Sequence, residues 1–413
     1  MKTTSDLKIK RRVVFYLGGF DRRGVEFYHK QYLEQAGLQQ SINQCEYLVS
    51  SLDTRDELMP TWQIHTEESK KDKVHTSYHW LQWDDLFEAH WPRSDGLASL
   101  QYLRFAWTHI TTGTCLRVLR HAKQILPMIL APLLWFVMMV LLSIGVGVSA
   151  ASLMQDGVAN FGLTKWIPKG LYEILGGVTG LVVGLVVLLS VWRSAKSQRL
   201  FWLARGWVFV QAVALGRDQR FDARFKLLAE KIQQQILQTD ADEYLLIGHC
   251  GGCFSAVSVL SHLQSTLSKE DTNSVLALRM QKLHLLTLAQ IISVLALIPQ
   301  ARQFRSELLH VARGSVPWYD LASPADPLCC GLVGPLSGVV EDTAADGNAI
   351  RQPLTRSARF DRMWSAERYR AIRRHAFVIH FQYLMATEQP VFNDYFSLTA
   401  GSLALQDRWR MPS

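Results

Sequence analysis

Two long stretches of the chain carry almost no polar residue. The first runs from about Ile125 to Val148 (ILPMILAPLLWFVMMVLLSIGVGV) and has no charge. The second runs from about Leu171 to Trp192 (LYEILGGVTGLVVGLVVLLSVW), with one charge, Glu173, at its edge. About 20 consecutive apolar residues are needed to cross the hydrocarbon core of a bilayer as a helix, and both stretches reach that length. A buried helix of a water-soluble domain is usually shorter and keeps a polar face. The pattern predicts a two-helix transmembrane hairpin at 124–192. Gly176, Gly177, Gly180 and Gly184 form a small-residue face on the second span. It suits close packing against the first span or against a second copy of the chain.

Outside the hairpin the pattern changes period. VVFYL at 13–17 reads as a short buried strand ending in Gly18-Gly19, and a helix is predicted over 25–38. Residues 61–83 alternate polar and aromatic positions and read as strands. Helices are predicted over 84–91, over 97–123 running straight into the first span, over 197–216 and over 220–238. Then YLLIG (244–248), LHLLTLA (283–289) and VPWYDL (316–321) read as strands, separated by helices at 254–267 and 292–313. The segment 331–360, rich in Gly, Ser, Thr and Asp, reads as a loop. AFVIH at 376–380 reads as a short strand, with FQYLMA opening a helix.

Strands alternating with helices predict an α/β fold with a mostly parallel sheet covered on both faces. The first strand precedes the hairpin and the others follow it. The hairpin is thus expected as an insertion in one α/β domain built from 1–123 and 193–413.

Charge orients this picture. The 44 basic residues outnumber the 36 acidic ones, for a net charge of +8. Arg104, Arg117, Arg120 and Lys123 precede the first span, and Arg193, Lys196, Arg199 and Arg205 follow the second. The connecting loop holds only Asp156, Lys165 and Lys169. The positive-inside rule then places both termini and the α/β domain in the cytoplasm, at the inner membrane, with the loop outside. The N-terminal stretch has no signal-peptide core, in keeping with that orientation. Trp166, Trp192, Trp202 and Trp207 suit the membrane interface. The expected macromolecular partner of the basic surplus is the anionic bilayer rather than a nucleic acid, and the run Arg370, Arg373 and Arg374 reads as a solvated or membrane-facing surface. Six cysteines without a regular framework read as thiols in a reducing compartment.

The sharpest local feature is Gly248-His249-Cys250-Gly251-Gly252, between a strand and a helix. In a G-x-C-x-G turn the nucleophile occupies a tight bend, and the glycines let strand and helix approach closely. The helix N-terminus then directs free N–H groups and its positive dipole end at the thiol. A Cys-His pair needs an acid to orient the base. Asp326 lies in a Pro-flanked turn after the third strand, whereas Asp320 lies within the strand pattern. Of His375 and His380, the latter ends the AFVIH segment. Cys250, His380 and Asp326 are therefore the candidate set. The Gly251 amide and the loop Leu17-Gly18-Gly19-Phe20-Asp21, with Gly19 and Phe20, are the candidate oxyanion hole. Such chemistry calls for no cofactor and no metal. His75, His79, His90 and His284 read as structural, and His249 as a packing or hydrogen-bonding neighbour.

These motifs resemble the α/β-hydrolase superfamily over roughly 10–40 and 220–400. The Cys form of the elbow is similar to that of dienelactone hydrolases and polyhydroxyalkanoate synthases, which use a Cys-Asp-His set. GGFDRRGVEFYH, HWLQWDDLFEAHW and HFQYL also resemble a family of bacterial membrane proteins of unassigned function. The resemblance implies a hydrolase-like fold, with Cys250 as nucleophile, His380 as base and Asp326 as its orienting acid. It further implies a Cys-dependent hydrolase or acyltransferase acting on an acyl ester or thioester. Two other readings stay open: a catalytically silent membrane scaffold on the same fold, and a thiol-disulfide oxidoreductase using Cys250-Gly-Gly-Cys253. A zinc site from Cys250, Cys253, Cys329 and Cys330 is disfavoured by the adjacent pair.

Overall fold

In the computed structural model, residues 8–68, 72–91, 94–197, 199–267, 274–337, 339 and 350–412 are described. They form two units. The first gathers the chain up to Trp91, Ile110–Leu126 and the chain from Phe209 on; the second gathers Pro92–His109 and Pro127–Val208. The segments 94–109 and 193–208, expected with the α/β part, thus group with the apolar hairpin.

The first unit is α/β. In chain order it holds β1 (Arg11–Leu17), α1 (Gly24–Asn43), β2 (Glu46–Val49), β3 (Thr61–Glu67), β4 (Lys73–Trp80) and α2 (Asp85–His90). The second unit supplies most of α3 (Asp95–Thr111), and the first unit α4 (Thr114–His121). Next come the two long apolar helices α5 (Leu126–Asn160) and α6 (Lys169–Ser197), then α7 (Leu200–Ala214). The α/β unit resumes with α8 (Gln219–Gln238), β5 (Glu243–His249), α9 (Gly252–Ser265), α10 (Val275–Met280), β6 (Leu283–Leu288), α11 (Ile292–Ala296), α12 (Arg302–Arg313), β7 (Trp318–Ala322) and β8 (Leu354–Ser357). Short helices at Phe360–Met363, Ala366–Ile372, Ala376–His380, Tyr395–Ala400 and Leu405–Arg408 complete it.

The eight strands make one mixed sheet in the order β2-β3-β4-β1-β5-β6-β7-β8. From β4 to β8 each neighbour runs parallel, while β2–β3 and β3–β4 are antiparallel. β1 and β5 lie at the centre, covered on both faces, and so read as continuous apolar runs. β3 has an alternating burial pattern. Val14, Tyr16, Leu245 and Ile247 join a core with Tyr28 and Tyr32 of α1 and Phe396. The alternate residues Val13, Phe15, Tyr244 and Leu246 are equally buried and face the other side. There α9 packs on β5, flanked by α8 and α12. At the bottom of the β1–β5 pair, buried Arg12 donates to Glu243 Oε2 (2.6 Å) and to the carbonyls of Gly401 and Leu403. Every charge there has a partner, as burial requires.

The second unit contains two helices long and apolar enough to cross a membrane. They meet through glycine. A Cβ on Gly180 would lie 2.6 Å from the Gly147 carbonyl oxygen, and one on Gly184 would lie 3.0 Å from that of Ser143. Gly176 abuts Gln155 and Ala151, whereas a Cβ on Gly177 would meet nothing within 4 Å. The glycine face therefore packs one helix of the hairpin on the other at three of the four positions. Trp207 is buried, its indole N–H donating to the Met128 carbonyl, while Trp166 is exposed.

Several predicted elements differ. The helix expected over 97–123 is two helices, because Gly113 turns the chain at φ +70°. The helix expected over 292–313 is likewise divided, with Pro299 in the gap between α11 and α12. AFVIH is a helical turn rather than a strand; a short apolar run has no periodicity that separates the two. FQYLMA contains only a 3-10 turn at Gln382–Leu384. β2 and β8 have no counterpart among the predicted strands; β8 lies inside the predicted loop 331–360, of which 338 and 340–349 fall outside the described residues.

Candidate active site

The register of β1 on β5 pairs Leu17 with Gly248. The two central strands therefore end together, and the loop after β1 lies beside the turn after β5. That turn is forced. Cys250 has φ +55°, a left-handed conformation unusual for a residue with a side chain. It costs about 1–2 kcal/mol and marks a constrained site. Gly252 opens α9 where a Cβ would lie 2.0 Å from the Leu17 carbonyl oxygen, so only glycine lets the helix start against β1. The Cys250 amide is tied to the Leu288 carbonyl at the end of β6 (2.9 Å).

The loop from β1 passes over the thiol. A Cβ on Gly19 would sit 2.8 Å from Cys250 Cβ and 3.4 Å from Sγ. The Phe20 amide nitrogen lies 3.5 Å from where a Gly251 Cβ would be. The Phe20 backbone thus comes close to Gly251, the residue that follows Cys250. Asp21 holds this loop in place: its Oδ2 accepts from the Tyr28 hydroxyl (2.8 Å) and from Arg23 Nε (2.7 Å). The Phe20 ring stacks on Phe209 (4.6 Å) and Trp91 (5.3 Å), giving the loop an aromatic backing.

His380 is 1% exposed, and its Nδ1 lies 2.8 Å from Asp326 Oδ2. Asp326 is itself buried, and its other oxygen accepts from the Leu328 amide (2.9 Å). Burial alone would push the imidazole pKa down. The carboxylate of Asp326, and after it the thiol of Cys250, instead raise it well above the usual histidine range. With Nδ1 on Asp326, Nε2 is buried and has no hydrogen-bond partner among the described residues, while the Cys250 thiol lies near enough to act on the imidazole electrostatically.

Of the six residues singled out from sequence, Cys250, His380 and Asp326 lie together. Gly19 lies against the thiol, and the Phe20 amide nitrogen lies close to Gly251, which follows Cys250 in the chain. Asp320 does not reach this centre. It is buried in β7, accepts from the Thr287 and Thr355 hydroxyls, and is pushed up to about 7 by burial. His375 stands at the start of the turn that carries His380, with no capping bond from its side chain.

His249 has the packing and hydrogen-bonding place expected of it, but its partner, and the bracing of the loop after β1, escape sequence reading. His249 is buried and pulled down to about 3, by burial first and then by His380. In that neutral state its Nε2 donates to the His380 carbonyl (3.2 Å), and the two rings lie 5.2 Å apart. The bracing comes from Asp21, signalled only by the short Asp-x-Arg turn. Cys253 is fully buried and directs its thiol at the Gly248 and Leu288 carbonyls; burial raises its pKa well above the ordinary thiol value.

Among the described residues, one group offers convergent metal-ligand atoms: Asp222, His262 and Glu307, within 4.8 Å of one another. Their atoms already bond within the fold. His262 meets Asp222 (3.1 Å), Gln303 donates to both carboxylates, and Ser258 donates to Glu307. The cysteines are not part of that group.

No protein-family model, curated protein or solved structure matches the chain.

Proposed function

We propose that this chain is a membrane-anchored, α/β-hydrolase-like protein. In this reading Cys250 attacks an acyl ester or thioester and passes the acyl group to water or another acceptor. One observation carries the reading: His380 stands between Asp326 and Cys250, with the thiol held at φ +55° on the turn between a central strand and a helix.

In the proposed mechanism, His380 Nε2 takes the proton from Sγ as sulfur forms a bond to the acyl carbonyl carbon. The carbonyl oxygen becomes an oxyanion beside the Phe20 and Gly251 amides. Collapse breaks the bond to the alcohol or thiol leaving group, which receives the proton from His380. The acyl-thioester of Cys250 is then attacked by water or an acceptor alcohol, deprotonated by the same imidazole; collapse breaks the carbon–sulfur bond, releases the acid or new ester, and returns the proton from His380 to the Cys250 sulfur. Asp326 holds the Nδ1 tautomer and stabilises the imidazolium without taking its proton.

The parallel run β4-β1-β5-β6-β7-β8, with the elbow after β5, supports a hydrolase-type assignment. The burial and inward aim of Cys253 speak against disulfide exchange, which needs an accessible resolving thiolate. The lengths of α5 and α6 and the basic flanks support insertion in the inner membrane with the α/β unit cytoplasmic.

Labelling with a thiol-directed acyl probe tests the assignment. Wild type is expected to form an adduct on Cys250 and Cys250→Ala none, with Cys253→Ser labelling as wild type. Equal labelling of wild type and Cys250→Ala would sink the nucleophile, and would favour a silent scaffold.

A further inference from the structure

Helix α3 has two unlike faces. Its inner face buries Ala98, Ser99, Tyr102, Phe105, Ala106 and His109. Tyr102 donates to the Ile129 carbonyl of α5, and its ring lies 6.5 Å from that of Phe136. Asp95 at the N-terminus pairs with Lys196 at the end of α6 (3.1 Å) and with Arg205 of α7 (2.9 Å). The helix is therefore fixed to both apolar helices at the ends that carry their basic flanks.

The outer face is apolar and uncovered. Leu97, Leu100, Leu103 and Trp107 are 45%, 57%, 41% and 69% exposed. At 3.6 residues per turn they occupy an arc of roughly 120°, and Ile110 extends it. A water-facing helix seldom shows such a continuous apolar stripe. The sequence alone hides this face, because an unbroken helix over 97–123 would carry it away along the first span.

We propose that α3 is an interfacial helix, lying in the cytoplasmic headgroup region of an anionic bilayer with Leu97, Leu100, Leu103 and Trp107 in the acyl boundary. Three features select lipid as the occupant. The face belongs to the same unit as the two spans and adjoins their basic ends. Arg104 at the edge of the arc can snorkel to phosphate. A leucine face with a tryptophan toward one end has the composition of an amphipathic helix in the membrane plane. The inference rests on α5 and α6 crossing the bilayer.

The test places the photoreactive residue benzoylphenylalanine at Leu100 in the full chain, with Leu181 on α6 as the reference position. Nanodiscs of phosphatidylcholine, with or without phosphatidylglycerol, supply the lipid. Lipid adducts at both positions are expected, with the yield at 100 rising about threefold with the anionic lipid. Adducts at 181 and none at 100 would overturn the interfacial helix and leave the spans intact. Adducts at neither would overturn the membrane reading itself. Protein–protein adducts at 100 in place of lipid would assign the face to a second copy. A yield at 100 indifferent to phosphatidylglycerol would overturn the anionic preference.

Discussion

Gly19 and Cys250 come so close that a methyl group on Gly19 would press on the cysteine Cβ at 2.8 Å. The loop after β1 is thus the roof of the thiol, and its position is set by a missing side chain. Gly19→Ala is expected to displace the Phe20 amide and lower acyl-probe labelling of Cys250 at least about tenfold. Thermal unfolding should move little, since the loop stays braced by Asp21. Unchanged labelling would remove this loop from the proposed oxyanion site.

If His380 is the base proposed above, the 3.2 Å contact from His249 Nε2 to the His380 carbonyl makes His249 its positioning residue. His249→Phe keeps the ring packing and loses the donor; His249→Gln can restore a donor. Iodoacetamide alkylation of Cys250, followed against pH, is expected to slow and shift for His249→Phe toward the profile of His380→Ala, with His249→Gln in between. A Phe variant with the wild-type profile would refute the positioning role. A His380→Ala profile equal to wild type would refute the base itself.

Asp320 ties stability to pH. Its carboxyl is pushed up to about 7 in the folded state by burial, against 3.8 as its ordinary value. The raised value means that the folded state holds its proton longer than the unfolded state. The contribution is therefore fully present below about pH 4 and is lost as pH rises through about 7. Thermal unfolding in detergent is expected to show stability decreasing between pH 5 and 7, with Asp320→Asn flattening the dependence. Parallel curves for the two proteins would contradict the assignment.

Gly180 and Gly177 offer an internal comparison. Any side chain at Gly180 meets the Gly147 backbone, while Gly177 faces open space. Gly180→Leu is expected to destabilise the hairpin by about 1–3 kcal/mol, the usual range for overpacking, and Gly177→Leu to cost little. Unfolding of the two variants in matched detergent checks this; equal losses would argue against backbone contact at Gly180.

Much of the site's chemistry is legible in the sequence. The G-x-C-x-G turn is local: its glycines and its strand–helix context fall within about ten residues, so spacing alone points to Cys250. Asp326 and His380 are reachable by chain order and turn chemistry. The setting of His380 is not, because AFVIH has a strand's composition and a helix's geometry. The pairing of His249 with the His380 carbonyl is also hidden, since it joins residues 131 apart in the chain.

By itself, the sequence determined the two long apolar helices, the charge asymmetry around them and the alternation of strands with helices. Each of these depends on composition and period within a window of a few turns. Tertiary structure decided the rest. It chose which strands are neighbours and so brought the ends of β1 and β5 side by side. It closed the glycine face of α6 onto α5. It also split the predicted 97–123 helix at Gly113 and turned one apolar face of α3 outward. The physical reason is the same in each case. Sheet order, backbone contact and burial depend on what the rest of the chain brings to a residue, and local pattern does not record it.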